Sequence, residues 1–251
     1  MHIPSTIQQI SELCHQYKGT VYIVGGSIRD FFMQKTPKDW DLEVHSMSGK
    51  QLEQVLRSIG KTKRVGASFS VFKLNVENEE IDVALPQDDS KDAPNMGIEP
   101  ALRRRDLTIN SMAYDIHRNE LIDPFHGAQD VQDRVLRATD PHTFVEDPLR
   151  AFRVAQFAGR YAMSIDPSLI SLCKTLSLHD IPKERIQIEL HKLWLKSDTP
   201  SIGLRALEKL NLYQYVPLWA TPTDPEILRS VDTYATQRHK YSVPQQLIIF
   251  W

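Results

Sequence analysis

The sequence predicts an α+β unit followed by an all-α unit. Two observations carry this. Up to about residue 125, short β-branched and aromatic runs alternate with amphipathic stretches of helical period. After Pro124 no β-pattern returns, and several segments of helical period follow one another.

The elements are justified in order. Ile7, Ile10, Leu13, Cys14 and Tyr17 fall near a helical period, so residues 5–17 read as an amphipathic helix that Gly19 can stop. Thr20–Val24 is a β-branched run ending at Gly25–Gly26, hence a strand and then a turn. Ser27–Met33 reads as a helix opening at that turn, and Thr36–Pro37–Lys38 as a break. Asp39–Val44 alternates acidic with apolar residues, as a strand does. Residues 49–59 are helical and Gly60 stops them. Ser70–Asn75 and Glu80–Leu85, with Glu77–Asn78 between, read as an antiparallel hairpin. Residues 86–100 are rich in Pro, Gly, Asn, Asp and Ser and are expected to be an exposed, mobile loop. Arg103–Ala113 reads as mostly helical, and 114–122 as strand, turn and strand. Residues 143–162, 167–178, 182–196 and 201–211 read as helices. The last residues, VPQQLIIFW, are apolar, which predicts a truncated chain or a missing partner surface.

Composition excludes several classes. Of 251 residues, 41% are apolar and 25% charged, enough to bury a core and unlike a disordered chain. No run approaches the roughly 18 apolar residues of a membrane helix, and the first residues lack the basic flank and apolar core of a signal peptide. The two cysteines, Cys14 and Cys173, have no partner at metal spacing, so a reduced, cytoplasmic setting is expected and a zinc site is not. A net charge of −2 excludes a uniformly basic nucleic-acid binder. It leaves room for a local basic groove around Arg103–Arg104–Arg105 or Lys183, Arg185, Lys192 and Lys196.

Chemistry enters with Asp39, Asp41 and Glu43. Spaced two apart on a strand, they share a face with neighbours about 6.6–7 Å apart. Three like charges on one face are costly unless cations neutralise them. Two divalent ions about 3.5–4 Å apart would do so and would serve phosphoryl chemistry; Asp82, on the expected hairpin, could complete such a site. Taken alone, the pattern equally describes a solvated edge strand. Gly25–Gly26 ahead of a helix start adds a second signal. Glycines let backbone approach a phosphate, and free N–H groups at a helix start favour an anion. Arg29 adds a charge-assisted donor one turn in. A phosphate-type turn just ahead of an acidic strand would set a triphosphate beside its metals.

These residues carry a resemblance. VGGSIRD (Val24–Asp30) with PKDWDL (Pro37–Leu42) resembles the first motif of the class II tRNA nucleotidyltransferases and bacterial poly(A) polymerases. RRRDLTINSMAYD (Arg103–Asp115), DPFHGAQD (Asp123–Asp130), EDPLRAFR (Glu146–Arg153) and KERIQIEL (Lys183–Leu190) are similar to the second to fifth motifs, in family order. The resemblance implies a polymerase-β-type nucleotidyltransferase head over 1–137. A helical neck and the start of a truncated RNA-binding body follow over 138–251. It implies transfer of CMP or AMP from CTP or ATP onto a tRNA 3′ end with two Mg²⁺ ions. Asp39 and Asp41 would hold the metals, with Asp82 as a third carboxylate. Gly25, Gly26, Arg29, Arg105, Asp147, Arg150 and Arg153 would line the nucleotide site, Asp147 and Arg150 presenting a hydrogen-bond edge to the base. Glu43 has no required role in the family.

Carboxylate and guanidinium together do match the edges of both cytosine and adenine, and residues three apart are neighbours on a helix face. An intrahelical salt bridge, however, has the same spacing. The chain departs from the pattern at His126, where glycine is common, and at Gln156, which replaces an arginine. The 86–100 loop is shorter than is common. In the family this loop is tied to the switch from CTP to ATP, so CC-only addition stays open beside CCA and A-only addition. A poly(A) polymerase and a non-catalytic RNA-binding module are the remaining alternatives. The GASFSVFKL segment (Gly66–Leu74) lacks the basic signature of the poly(A) polymerases. The oligomeric state is not encoded in these motifs.

Overall fold

The computed structural model describes residues 2–37, 39–65, 70–76, 79–88, 91–215 and 225–237. The chain divides into two compact units, Met1–Gln132 and Asp133–Trp251. The apolar run at the chain end lies outside the described residues.

In the first unit, α1 (Ser5–Gln16) leads into β1 (Thr20–Val24), α2 (Gly26–Phe32), β2 (Trp40–His45), α3 (Gly49–Ile59) and β3 (Lys61–Val65). Then come β4 (Val71–Val76), β5 (Glu79–Ala84), α4 (Ile98–Arg103), β6 (Ala113–Asp115), β7 (Glu120–Ile122) and α5 (Gly127–Asp133). Among the described residues, seven strands form one sheet in the order β3-β4-β5-β2-β1-β6-β7. The β2–β5 pair is parallel and the other neighbours are antiparallel.

Strand alternation divides the sheet into two faces. In register, Val21 meets Val44, Ile23 meets Leu42, Leu42 meets Val83, and Val83 meets Phe72. These residues are all buried and form the apolar face, against which α1 and α3 pack with Ile7, Ile10, Leu52 and Leu56. The opposite face carries Tyr22, Asp41, Glu43, Asp82 and Lys73. Ser48 caps α3 in a reciprocal capping box with Gln51.

β3 (KTKRV), to which no element was assigned from the sequence, is a charged, exposed edge strand, whose lysines and arginine discourage further pairing. Three expectations need correction. Within 86–100, the described residues are tied down rather than loose. Ala93 N–H donates to Pro86 O (2.7 Å), Ser46 N–H to Pro94 O (2.7 Å), and Asp92 accepts from Ser70 N–H and Oγ (2.8 and 2.6 Å). A helix begins at Ile98, with Pro100 tolerated in its first turn. Residues 103–113 are not one helix: α4 ends at Arg103 and a single 3-10 turn spans Thr108–Asn110. Asp106 accepts from Leu107 N–H (2.8 Å) and Asn110 Nδ2 (3.0 Å), and Ser111 Oγ donates to Leu107 O (2.9 Å). Such local bonds compete with helix continuation. Finally, α1 turns at Lys18 (φ 61°), not Gly19; a Cβ on Gly19 would lie 2.4 Å from Met47 Sδ, so glycine is needed there for close packing.

The second unit contains β8 (Val135–Leu136), α6 (Pro141–Phe144), α7 (Arg150–Tyr161), β9 (Ser164–Ile165), α8 (Pro167–Lys174), α9 (Lys183–Lys196), α10 (Pro200–Lys209) and α11 (Pro225–Gln237). It is helical as expected, apart from the two-residue parallel pair β8–β9. The expected 143–162 helix is broken between α6 and α7, where Pro148 lies. α7 packs against α9 and α10. A Cβ on Gly159 would come 3.1 Å from Gly203 Cα, so two glycines set the close approach of α7 and α10.

Candidate active site

The site is built on the polar face of the sheet, where the end of β1 meets the start of β2. β1 and β2 run antiparallel, so the Gly25 bend that ends β1 lies beside the Asp41 end of β2. Gly25 has φ 66° and ψ −127°, a backbone conformation open only to glycine. A Cβ there would lie 2.9 Å from Arg105 Nη1 and 3.6 Å from Asp41 Oδ2. The bare backbone of this bend therefore faces one carboxylate and one guanidinium. Ser27, one residue into α2, fixes the neighbouring segment: its Oγ donates to Asp39 O (3.0 Å) and accepts from Asp41 N–H (3.3 Å).

Asp39 precedes β2 and is exposed; Asp41 is half-buried on the strand. Burial pushes the Asp41 carboxyl up from its ordinary value, and Asp82 and Asp39 push the same way, while Arg105 and Arg29 pull it back. No protein donor bonds the Asp41 carboxylate among the described residues.

Glu43 is handled differently. Its Oε2 accepts from Arg105 Nη2 at 3.0 Å and its Oε1 meets His45 Nε2 at 2.9 Å. His45 Nδ1 faces Met96 O at 2.8 Å. Burial acts on Glu43 most strongly and would raise it, but the His45 hydrogen bond and the Arg105 charge outweigh it, and its carboxyl lies below the ordinary range. A cavity of about 330 Å³ opens beside this pair, lined by Glu43, Leu85, Gln87, Arg104 and Arg105 among others.

Arg29 is buried. Nη1 donates to Asn110 Oδ1 (2.6 Å), and Nε and Nη2 donate to Asp30 Oδ1 (3.1 and 2.9 Å). A Cβ on Gly26 would lie 3.2 Å from Arg29 Nη2, so this guanidinium packs directly beneath Gly26. Asn110 bonds on to Asp106, so the first and second motifs share one polar network.

Asp82 stands beside Asp41 in the β2–β5 register, and its Oδ1 lies 3.3 Å from Lys73 Nζ, which also pairs with Glu80. Among the described residues no three His, Cys, Asp or Glu side chains gather into a metal-sized group. Asp39 and Asp41 are thus the carboxylates left for a cation. Hard divalent ions favour such oxygen donors, and Asp41, crowded by like charges and without a donor, fits one.

The remaining expected site residues, Asp147, Arg150 and Arg153, lie in the second unit, described on its own. Asp147 is not on the α7 face with Arg150, because the helix starts at Arg150. Asp147 Oδ1 accepts from Leu149 N–H (3.2 Å) and Oδ2 pairs with Arg185 Nη2 (2.9 Å), joining the fourth and fifth motifs. Arg150 Nη1 donates to Thr143 O (2.6 Å), and Arg153 Cζ lies over the Phe157 ring, 5.3 Å from its centroid. Gln156 is buried, and its Nε2 has no hydrogen-bond partner among the described residues. His126 holds a left-handed backbone (φ 59°) where the motif commonly has glycine. Asp123 accepts from Gly127 N–H (2.7 Å) and Ala128 N–H (2.9 Å) at the start of α5.

Sequence reading missed Ser27, His45 and the Glu43–Arg105 pair. Ser27 and Arg105 stood inside recognised motifs, but the pairing of Arg105 with Glu43 spans sixty-two positions and is visible only once β2 and the end of α4 are brought together.

The fold and this face define a nucleotidyltransferase head of the polymerase-β type, accompanied by a helical unit. Residues 21–137 match the family described as Poly A polymerase head domain, and 163–221 the one described as Probable RNA and SrmB-binding site of polymerase A. The chain is 36% identical over 231 residues to the CCA-adding enzyme of Blochmanniella pennsylvanica (strain BPEN), a match covering 84% of this chain and 55% of that protein. It is similar to the Thermotoga maritima CCA-adding enzyme complexed with tRNA CCA, with a TM-score of 0.73 and 25% identity over 84% of this chain and 51% of that one. A tRNA-processing enzyme solved with CTP gives a TM-score of 0.72 and 27% identity over 82% of this chain and 57% of the other. The chain belongs to the tRNA nucleotidyltransferase and poly(A) polymerase family, and it spans about half the length of the relatives it matches.

Proposed function

We propose that this chain is the head and neck portion of a template-independent tRNA nucleotidyltransferase that adds CMP and AMP, from CTP and ATP, to a tRNA 3′ end. One observation carries the reading: a half-buried, donor-free Asp41 carboxylate faces a glycine bend with the Arg105 guanidinium alongside. That is an arrangement for a polyanion and its cations. The relatives named CCA-adding enzyme and the structure solved with CTP supply the substrate class. The absence of a membrane-length apolar helix among the described residues and two buried free thiols agree with work in the cytoplasm.

Asp39 and Asp41 would hold two Mg²⁺ ions. Bound there, the metals would activate the RNA 3′-hydroxyl and offset charge on the α-phosphate and leaving pyrophosphate. Gly25 and Gly26 leave backbone open to the triphosphate, and Arg105 meets it with a cation. Arg29, bonded to Asn110 and Asp30, acts through its field from beneath the bend. Asp147, Arg150 and Arg153 would read the base.

The test is incubation with Mg²⁺, labelled CTP or ATP, and tRNA lacking its 3′ end. CCA addition is expected, and Asp41→Asn should abolish it while the circular dichroism spectrum stays native. Addition of CC, A or poly(A) would redirect the specificity. Normal incorporation by Asp41→Asn would refute the metal role.

A further inference from the structure

Of Asp39, Asp41 and Glu43, Glu43 is the one for which the function above has no use. Its environment gives it one. Arg105 carries a long side chain that borders an open cavity of about 330 Å³, so there is space for its guanidinium to swing away from Gly25. A free arginine has rotamer freedom to lose on binding an anion. Glu43 removes that freedom beforehand: it takes Nη2 at 3.0 Å and leaves Nη1 at the bend. Glu43 is itself fixed on the opposite side by His45 Nε2 (2.9 Å), and His45 by Met96 O (2.8 Å) and an edge-on contact with Tyr22. His45 Nδ1 and Nε2 each lie within hydrogen-bond distance of an oxygen, Met96 O and Glu43 Oε1, so the ring is held on both sides. The chain Met96–His45–Glu43–Arg105 is a brace that runs from the tied 91–97 segment to the glycine bend.

We propose that Glu43 is a positioning residue for triphosphate binding, holding Arg105 at the Gly25 bend so that the incoming nucleotide meets a preset cation. This rests on the nucleotidyltransferase reading above. An amide at position 43 can accept from His45 or Arg105 but not from both, so Glu43→Gln loosens the brace with little change in volume.

The experiment measures CTP and ATP affinity by calorimetry in Mg²⁺, together with steady-state incorporation, for the wild type, Glu43→Gln, Arg105→Lys and the double variant. Glu43→Gln should raise Kd and KM about tenfold, the loss of one charge-assisted hydrogen bond, with kcat changed by less than about twofold. The double variant should bind no worse than Arg105→Lys alone, because Glu43 acts only through Arg105. His45→Gln should shift KM in the same direction by a smaller factor, and it serves if Glu43→Gln does not fold. A fall in kcat with unchanged Kd, or additive effects in the double variant, would overturn the positioning role while leaving the enzyme intact. A wild type that binds neither nucleotide would instead overturn the functional reading, and this role with it.

Discussion

Replacing Gly25 with alanine tests the bend on which the site is built. Gly25 sits at φ 66° and ψ −127°, so an alanine there either strains or forces the backbone elsewhere. Strain of this kind costs about 1–3 kcal/mol. At roughly 3–4 °C per kcal/mol for a unit of this size, melting should fall by about 3–12 °C. The steric part is separate. The new Cβ would meet Arg105 Nη1 at 2.9 Å, the far end of a flexible side chain, which yields cheaply and adds little to the loss of stability. Its cost falls on binding instead, because the guanidinium moves off the bend and a methyl group stands beside Asp41. Gly26→Ala is the control: its φ is not left-handed, but its Cβ would press on Arg29 Nη2 at 3.2 Å, a group fixed by Asn110 and Asp30. Calorimetric melts without ligand, followed by CTP titration, separate the two effects. If Gly25→Ala melts with the wild type and binds CTP equally well, the bend and its facing pair have been misassigned.

The charge state of Asp41 gives a pH prediction. Its folded pKa is raised, so the folded state holds the proton longer than the unfolded chain, and stability falls as pH rises from its ordinary value of 3.8 through the raised one. In metal-free buffer Asp41→Asn should therefore melt above the wild type at pH 7, with the gap closing toward pH 4; equal melting across that range would refute the reading. Burial pushes the Cys14 and Cys173 thiols up to about 12, so a thiol reagent at pH 8 should titrate neither until denaturant is added. Asp147→Ala should erode discrimination among triphosphates in the incorporation assay; selectivity for CTP and ATP identical to wild type would remove the base-reading role.

The sheet and its acidic stripe were readable because alternation is a local property. Leu42 and Val44 point one way and Asp41 and Glu43 the other in any strand built from these residues. What escaped was set by longer range. KTKRV carries no apolar alternation, so only its pairing with β4 makes it a strand. Pro100 concealed the helix of Ile98–Arg103, and the helix-like composition of 103–113 concealed the bonds of Asp106 and Asn110 that end it. Asp147 and Arg150 have helical spacing in the sequence, yet the helix begins one turn too late to use it, and Asp147 turns to Arg185, thirty-eight residues on. Motif spacing singled out candidate residues; it did not identify their partners.

Those partners explain how a sheet face tolerates so many carboxylates. Glu43 is buried deeply but given two donors, and its acidity is restored. Asp82, near the edge, is given Lys73. Asp41 is half-buried and flanked by two like charges; Arg105 and Arg29 act on it by charge, and no protein donor bonds its carboxylate among the described residues. The cations near it are bonded elsewhere, Arg105 to Glu43 and Arg29 to Asn110 and Asp30. A fold selected only for stability would have paired Asp41 as it paired the other two, since each local choice elsewhere on this face favours neutrality. The charge, relieved only in part, is stability given up at this point, beside a backbone bend bare enough to admit an anion. A metal-bound triphosphate would relieve both features at once, with cations for the carboxylate and phosphate oxygens for the open bend and Arg105.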